Sequence, residues 1–349
     1  MRATEEVLAS GQVLQGPVVN RLEQRLCKSL DLEHCVTLGS GTDAVSFAIA
    51  ALGLPEGSRI AAPTMTFVAS ASGIVHNRCI PVFVDVDPET MLMDEMALLD
   101  LIARRAVDAI VVVHLYGQLQ NLDSVGRAAE EAGIPIIEDA AQALGATRHG
   151  KAPGRYGVAT CVSFDPTKVI GAFGSGGALL TDDGGIAESV RRLRYHGHDG
   201  KGRYLLAGFN SQMHSIQAAL LDVKFDHWKE WQSQRRTVAE RFIHGLSNIG
   251  EVTLLKTLPG NVHNYHKFVF HAEKRDGLSS HLAELGIQTK IHYPVPLHQQ
   301  PEFHSLIGTV RLPRAEAAAR SILSLPIYPE LTEDEIERVV AGIRSYYGH

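Results

Sequence analysis

The sequence predicts an α/β protein with a large domain built on a mostly parallel central sheet and a smaller C-terminal α+β domain. Short, β-branched apolar runs recur through the first half of the chain, and stretches of helical character separate them. Such alternation is typical of a parallel sheet covered by helices on both faces. After one long helical stretch the pattern changes, which predicts a boundary near residue 246 and domains of 1–246 and 247–349.

The predicted strands are short and rich in β-branched side chains, as expected of strands that are buried on both faces. They lie at 60–63, 80–85, 109–113, 134–137, 159–164 and 178–181. A helix is predicted over 122–132, with Gly133 as its C-terminal cap. One long helix, or two joined helices, is predicted from residue 213 to residue 246.

The smaller domain has its own strand and helix signals, at 267–271, 278–285 and 289–292. A last helix is predicted from 332 to about 346, and Glu333 and Glu335 fall in its first turn, where negative charge suits the helix dipole.

Composition excludes some partners. The chain has 33 basic and 39 acidic residues, a net charge of −6, and no basic stripe, which argues against nucleic-acid binding. Four scattered cysteines without zinc-type spacing indicate a reduced, cytoplasmic protein. No apolar run approaches the roughly 20 residues that a membrane span needs, and no apolar signal region opens the chain.

Histidine pairs could suggest a metal site, at His196 with His198 and at His263 with His266. No carboxylate or thiolate completes a ligand set at suitable spacing, so no metal is predicted.

Three segments carry candidate chemistry, and the first is Gly39-Ser40-Gly41-Thr42. It ends an extended stretch and opens a helix over 43–52. Small residues at a helix start leave backbone N–H groups free to bind an anion. The alternative is a capped turn that binds no ligand. Taken alone, this motif favours that alternative.

The second segment, 136–142, places Asp139 where a parallel strand ends. Ligands of open α/β sheets bind outside the carboxyl ends of the strands, so this carboxylate could pair with a cationic ring nitrogen. The alternative is that Asp139 only caps a helix.

The third segment runs from Ser163 to Lys168 and is followed by a glycine-rich stretch at 171–177. A lysine near a sheet edge can have its pKa lowered enough to act as a nucleophile. The alternative is a surface lysine before a flexible loop. The glycines lead into another strand rather than a helix, so they do not form a dinucleotide-binding fingerprint.

Taken together, a phosphate cradle, a ring-nitrogen partner and a lysine follow one another along one sheet. The chain thereby resembles the sugar aminotransferases of the DegT/DnrJ/EryC1/StrS family, which have the aspartate aminotransferase-like fold (fold type I). The matching segments span most of the chain, at 10–11 with Gly16, 41–44, 63–69, 82–87, 114–117, 138–142, 163–164 with 166–168, 208–211, 217–219, 291–294 with 296–298, and 323–326.

This resemblance implies an enzyme that uses pyridoxal 5′-phosphate. Lys168 would form the Schiff base with the cofactor, and Asp139 would keep its pyridine nitrogen protonated. Gln142 would hydrogen-bond the ring hydroxyl oxygen, and Phe67 would stack on the ring.

The resemblance also assigns the cofactor's phosphate group. Its binding groups would be Gly41, Thr42, Asp43 and Ser163, with Asn210 reaching in from the partner subunit of a homodimer.

The activity implied is transfer of an amino group from glutamate (or glutamine) to a keto sugar, in amino-sugar, polysaccharide or natural-product biosynthesis. A nucleotide-linked 4-keto or 3-keto deoxyhexose is the usual substrate. The alternatives are a non-catalytic regulator and a sugar dehydratase that uses the same cofactor. Retention of Lys168 and Asp139 argues against both, because dehydratases of the family have histidine at the lysine position.

The chain also departs from the family pattern. Gln212, His214 and Ser175 stand where the family often has arginine, aspartate and an acidic residue, respectively. The family usually has further residues before Ser10-Gly11. The departures concern contacts to the substrate more than the chemistry.

Overall fold

The computed structural model describes residues 2–349. Its helices are α1 Arg2–Ser10, α2 Pro17–Leu30, α3 Gly41–Ala51, α4 Ala69–His76, α5 Glu95–Ala103, α6 Asp123–Ala132, α7 Gly184–Arg194, α8 Ser215–Leu246, α9 Arg275–Glu284, α10 Pro301–Ile307, α11 Pro313–Ser321 and α12 Glu333–Tyr347. Its strands are β1 His34–Leu38, β2 Arg59–Pro63, β3 Ile80–Val84, β4 Ala109–Val113, β5 Ile136–Asp139, β6 Thr147–Arg148, β7 Ala159–Ser163, β8 Gly177–Thr181, β9 Val252–Leu254, β10 Asn261–Val262, β11 Phe268–Ala272 and β12 Ile322–Leu325.

The central sheet has seven strands in the order β1-β8-β7-β5-β4-β2-β3. Strand β8 is antiparallel to both of its neighbours, and the pairs from β7 to β3 are parallel. Strand β1 therefore runs in the same direction as β7. The carboxyl ends of β1, β2, β4, β5 and β7 all lie at one edge of the sheet, which is where such folds bind ligands.

Helices cover both faces of this sheet because alternate side chains of each strand point to opposite faces. On one face Val162 packs in a cluster with Phe225 of α8 and Leu26 of α2. On the other face Cys161 packs in a cluster with Phe47 of α3. This burial fixes the strand ends relative to the helix starts that follow them.

The C-terminal part has a separate core and a three-stranded antiparallel sheet in the order β12-β11-β9. Phe268 and Phe270 of β11 pack there with Phe242 from the last turns of α8 and with Ile336 of α12. A short pair of strands, β6 and β10, links the two parts. Since α8 contributes to both cores, the division at residue 246 stays a prediction.

The α/β fold class and each predicted strand of the large sheet are confirmed, with ends that differ by up to two residues. Segment 213–246 forms one helix from Ser215, and Thr332 caps α12 with a capping box that includes Glu335. Segment 289–292 forms neither helix nor strand; Lys290 makes a single bridge to Ser324. The prolines that follow interrupt pairing because they lack the N–H donor.

Among residues 2–349, no helix is both long and apolar enough to cross a membrane.

Candidate active site

A cavity of about 510 Å³ opens at the carboxyl edge of the central sheet. The large domain lines it with side chains that follow β1, β2, β5 and β7, and segments 266–267 and 290–293 complete the wall. The lining residues are Ser40, Gly41, Thr42, Thr66, Phe67, Ala69, Ser70, Asp139, Ala141, Gln142, Ser163, Asp165, Thr167, Lys168, Ser175, Gly176, His266, Lys267, Lys290, His292 and Tyr293. Seven of the nine predicted site residues therefore meet in one cavity.

The start of α3 forms one end of this cavity. Ser40 caps the helix by accepting a hydrogen bond from the Asp43 N–H at 3.1 Å. The N–H groups of Gly41 and Thr42 have no acceptor within residues 2–349. Free N–H groups at a helix N-terminus beside the Ser163 hydroxyl can hold an anion such as a phosphate.

Gly41 is required by the close approach of α3 to β7. A Cβ atom at this position would lie 2.6 Å from the Cβ of Ser163. We expect Gly41→Ala to weaken cofactor binding about tenfold or more. Overpacking costs ~1–3 kcal/mol, and it would move the N–H groups at the start of α3 away from the Ser163 hydroxyl. Titration of the cofactor-free protein with pyridoxal phosphate measures this. Gly250→Ala is the control, because a Cβ there meets nothing within 4 Å; equal affinities for both variants would contradict the prediction.

Asp139 ends β5 with its side chain buried in the cavity wall. The Ser70 hydroxyl donates to its Oδ2 at 2.7 Å, and the Ala141 N–H donates to its Oδ1 at 3.0 Å. Two donors from different segments hold the carboxylate in one orientation. It can then face a cationic ring nitrogen.

Gln142 has its amide oriented by the backbone. The Tyr116 N–H donates to its Oε1 at 2.8 Å, so the Nε2 donor points the other way, towards the hydroxyl of Tyr293 at 3.3 Å. A donor in this position suits the oxygen of a ring hydroxyl. Phe67 lines the same cavity with 54% of its surface exposed, an unusual exposure for a phenylalanine, and it leaves a flat face free for stacking.

Lys168 follows β7 in a turn, where its N–H donates to the Asp165 carbonyl at 2.9 Å. Burial lowers the pKa of Lys168, and the nearby Asp139 and Asp165 carboxylates oppose that shift only in part. A lowered pKa increases the fraction of free amine near neutral pH, which a nucleophilic lysine needs.

Glu138 lies next to Asp139 but faces the opposite side of β5. His114 Nε2 donates to it at 2.9 Å, since the other ring nitrogen accepts the Gln120 N–H. The N–H groups of Gly154, Tyr156 and Gly157 also donate to it, at 2.8–3.0 Å. Burial alone would raise the pKa of Glu138, but these donors outweigh it and lower the pKa.

Glu138→Ala should therefore destabilise the fold by about 3–5 kcal/mol, because it leaves several buried donors without an acceptor. Urea unfolding at neutral pH measures the loss. In the native protein this stabilisation is present above the ordinary glutamate pKa and is lost as pH falls through the lowered folded pKa. A loss below about 1 kcal/mol would contradict the burial argument.

Two predicted residues do not line the cavity. Asp43 follows Thr42 in the first turn of α3, and its carboxylate accepts a hydrogen bond from the Ser211 hydroxyl at 2.6 Å. Asn210 is exposed on the surface of the single chain. The sequence reasoning did not assign Ser70, which orients Asp139, nor the lining residues His266, Lys267 and Lys290. Within residues 2–349 no group of three or more His, Cys, Asp or Glu side chains could hold a metal ion.

A ligand that uses all of these groups has a phosphate for the helix start, a flat ring for Phe67, a ring nitrogen for Asp139 and a carbon that reacts with Lys168. Pyridoxal phosphate has each of these features. The fold and the site thus define the class of pyridoxal-phosphate-dependent aminotransferases of fold type I.

Comparison with known proteins gives the family. The model of the DegT/DnrJ/EryC1/StrS aminotransferase family matches residues 1–344. The chain belongs to this family and is a pyridoxal-phosphate-dependent transaminase.

Two relatives and one solved structure illustrate the likeness. The chain is 39% identical to the pleiotropic regulatory protein of Geobacillus stearothermophilus, covering 100% of this chain and 94% of that protein. It is 35% identical to the dTDP-3-amino-3,4,6-trideoxy-alpha-D-glucose transaminase of Streptomyces venezuelae, covering 99% and 91% of the two chains. The crystal structure of DesV from S. venezuelae superposes with a TM-score of 0.95 at 34% identity, covering 100% of this chain and 94% of DesV.

Proposed function

We propose that this transaminase moves an amino group from glutamate (or glutamine) to a keto sugar in amino-sugar biosynthesis. The favoured substrate is a nucleotide-linked 3-keto or 4-keto deoxyhexose. The observation that carries the proposal is Lys168 beside the fixed carboxylate of Asp139, in a chain 35% identical along nearly its whole length to a transaminase named for a dTDP-linked amino sugar.

The bound cofactor supplies an electron sink for bond changes at the carbon that carries the amino group. Lys168 would hold it covalently and, when displaced by the amino donor, would move a proton at its Nζ. Asp139 would keep the ring nitrogen protonated, and Gln142 would donate to the ring hydroxyl oxygen. Phe67 would stack on the ring and exclude water from it.

The cofactor's phosphate is assigned to the N–H groups of Gly41, Thr42 and Asp43 together with the Ser163 hydroxyl. The Asp43 N–H is the least direct of these, because it already donates to Ser40. Its carboxylate, held by Ser211, keeps the helix start in place.

We assign Asn210 to the site of a partner subunit. It is exposed, and several exposed apolar side chains lie near it in the chain, as expected of a surface that another copy covers; they are Tyr195, Tyr204, Leu205, Leu206 and Phe209. If the site is shared, mixing Lys168→Ala and Asn210→Ala subunits should restore activity, because a mixed dimer contains one site with neither substitution. About a quarter of the native activity is expected from random mixing. No recovery would argue against a shared site.

Two alternatives are a regulator without catalytic activity and a sugar dehydratase. The first is suggested by the name of the G. stearothermophilus relative, a pleiotropic regulatory protein. A regulator without turnover has no need of a lysine whose pKa is lowered by burial beside a fixed carboxylate. A dehydratase would yield a deoxy sugar without an amino group. A cytoplasmic location follows from the cysteine content and stays a prediction.

The visible absorbance of the protein loaded with pyridoxal phosphate tests the first half of the reaction. Glutamate is expected to convert the cofactor to its pyridoxamine form, and a keto sugar should convert it back with release of an amino sugar, identified by mass spectrometry. Conversion by glutamate without reversal by any nucleotide-linked keto sugar would overturn the substrate assignment. A cofactor that no amino acid converts would overturn the proposed donor.

A further inference from the structure

The wall of the cavity that comes from the C-terminal segments carries two lysines that the mechanism above does not use. Lys267 directly precedes β11, and Lys290 lies between α9 and the Leu297–Gln299 turn. Within residues 2–349 the only lysine in an ion pair is Lys256. Neither Lys267 nor Lys290 thus has a carboxylate partner in the described chain.

The surroundings of Lys267 are strongly cationic. Burial and, after it, the nearby charges of Lys168, Arg235 and Lys290 lower its pKa to about 8, and the Asp165 carboxylate opposes this shift. The Asp165 carboxylate already accepts the N–H and hydroxyl of Thr167, at 2.9 and 2.6 Å. A partly buried ammonium without a counterion is unfavourable, which makes this region ready to bind an anion.

His266 supplies a second, independent observation in the same wall of the cavity. Only 4% of the residue is exposed, it lines the cavity, and its Nδ1 has no hydrogen-bond partner. Burial lowers the pKa of His266 well below its usual value, so the ring is neutral and does not itself balance an anion. Buried polar atoms are nearly always paired, so an unpaired one beside two free lysines indicates a site completed by substrate.

The cofactor's phosphate does not account for these groups, because it has its own cradle at the start of α3. The amino donor does account for them. Its α-carboxylate is attached to the same carbon as the reacting amino group, so it must lie close to the Lys168 Nζ. Lys267 is near enough to Lys168 for their charges to interact.

We infer that Lys267, assisted by Lys290, binds the α-carboxylate of the amino donor. This inference rests on the proposed transaminase function but not on which sugar is the acceptor. Lys267 is the principal contact because it is half-buried, whereas Lys290 is exposed and strengthens the local positive charge.

The half-reaction with L-glutamate tests the inference, followed through the cofactor's visible absorbance. Lys267→Met should raise the glutamate concentration for half-saturation by about 10-fold to 100-fold, the range expected for a lost charge-assisted hydrogen bond. Lys267→Arg should keep most of the affinity, and Lys290→Met should show a smaller rise. Lys229→Met, which removes an exposed charge on α8, is the matched control and should resemble the native enzyme.

A donor without the α-carboxylate separates this role from a general loss of function. L-isoglutamine carries an amide in place of the α-carboxylate, so the native enzyme and Lys267→Met should use it equally poorly. Calorimetric titration with glutarate, which cannot react, gives a readout besides turnover. The native protein should bind it more tightly than Lys267→Met, with thermal unfolding showing that the variant is folded.

Three outcomes would overturn the inference. One is an unchanged glutamate half-reaction in the Lys267→Met Lys290→Met double variant. The second is a loss confined to the half-reaction with the keto sugar, which would place the bound anion on the sugar or its diphosphate. The third is equal binding of glutarate by the native protein and Lys267→Met. Failure to aminate any keto sugar, with the glutamate effects intact, would overturn only the proposed acceptor.

Discussion

Replacing Lys168 with alanine is expected to remove transaminase activity, with a loss on the order of 10⁴-fold or more. The same side chain has two tasks, to hold the cofactor as a nucleophile and to move a proton at its Nζ, so one substitution removes both. Its lowered pKa reflects burial in the cavity wall. Single-turnover absorbance with glutamate measures the loss.

Lys168→Arg is the informative companion variant. Arginine keeps the positive charge near Asp139 and Asp165 but cannot act as the nucleophile at neutral pH, so it should be as inactive as alanine. Both variants should still bind the cofactor through the cradle at the start of α3, though more weakly. Activity within tenfold of the native enzyme in either variant would refute the role of Lys168.

The part of the site that precedes residue 246 could be predicted because its segments follow strands that run in the same direction in one mostly parallel sheet. Asp139 and Ser163 end adjacent strands, and Gly41 opens the helix after β1, so topology alone brings them to one edge. Their chemical types then point to a phosphate, a ring nitrogen and a nucleophile. The family resemblance added the individual roles, which stay predictions until tested.

The C-terminal wall could not be predicted from the same reasoning. In the sequence Lys267 is only the first residue of the predicted element 267–271, and Lys290 lies in segment 289–292, which is predicted to be regular but forms neither helix nor strand. Their position in the cavity depends on how the C-terminal core packs against the sheet. Local periodicity does not contain that information, because it describes one element at a time.

Ser70 was missed for a different reason. A serine in the first turn of a helix usually has only a local role, and nothing in the sequence around α4 indicates a distant partner. The hydrogen bond to Asp139 exists because α4 starts directly after the loop that carries Phe67, at the same sheet edge as β5. Residues that orient a catalytic group from another segment become visible only in the folded chain.

Asp139→Asn is expected to lower the rate about 10²-fold to 10³-fold, the usual loss when one preorganised electrostatic partner is removed. The amide fills the same space. Its oxygen can still accept from the Ala141 N–H, and its NH2 group can donate to the Ser70 hydroxyl oxygen, so the fold should keep its stability. What it loses is the negative charge that favours a protonated ring nitrogen, without which the cofactor is a weaker electron sink. The effect should therefore appear in kcat more than in the affinity for glutamate.

Ser70→Ala tests whether the orientation of the Asp139 carboxylate matters as much as its negative charge. It removes one of the two donors that fix the carboxylate but keeps the charge, so we expect a loss of only about tenfold, typical of one net hydrogen bond. The pH dependence of the cofactor's absorbance separates the two variants, because only Asp139→Asn should shift the ring-nitrogen titration strongly. If both variants lost activity equally, with unchanged spectra, Asp139 would be acting through the packing of the β5 end rather than through its charge.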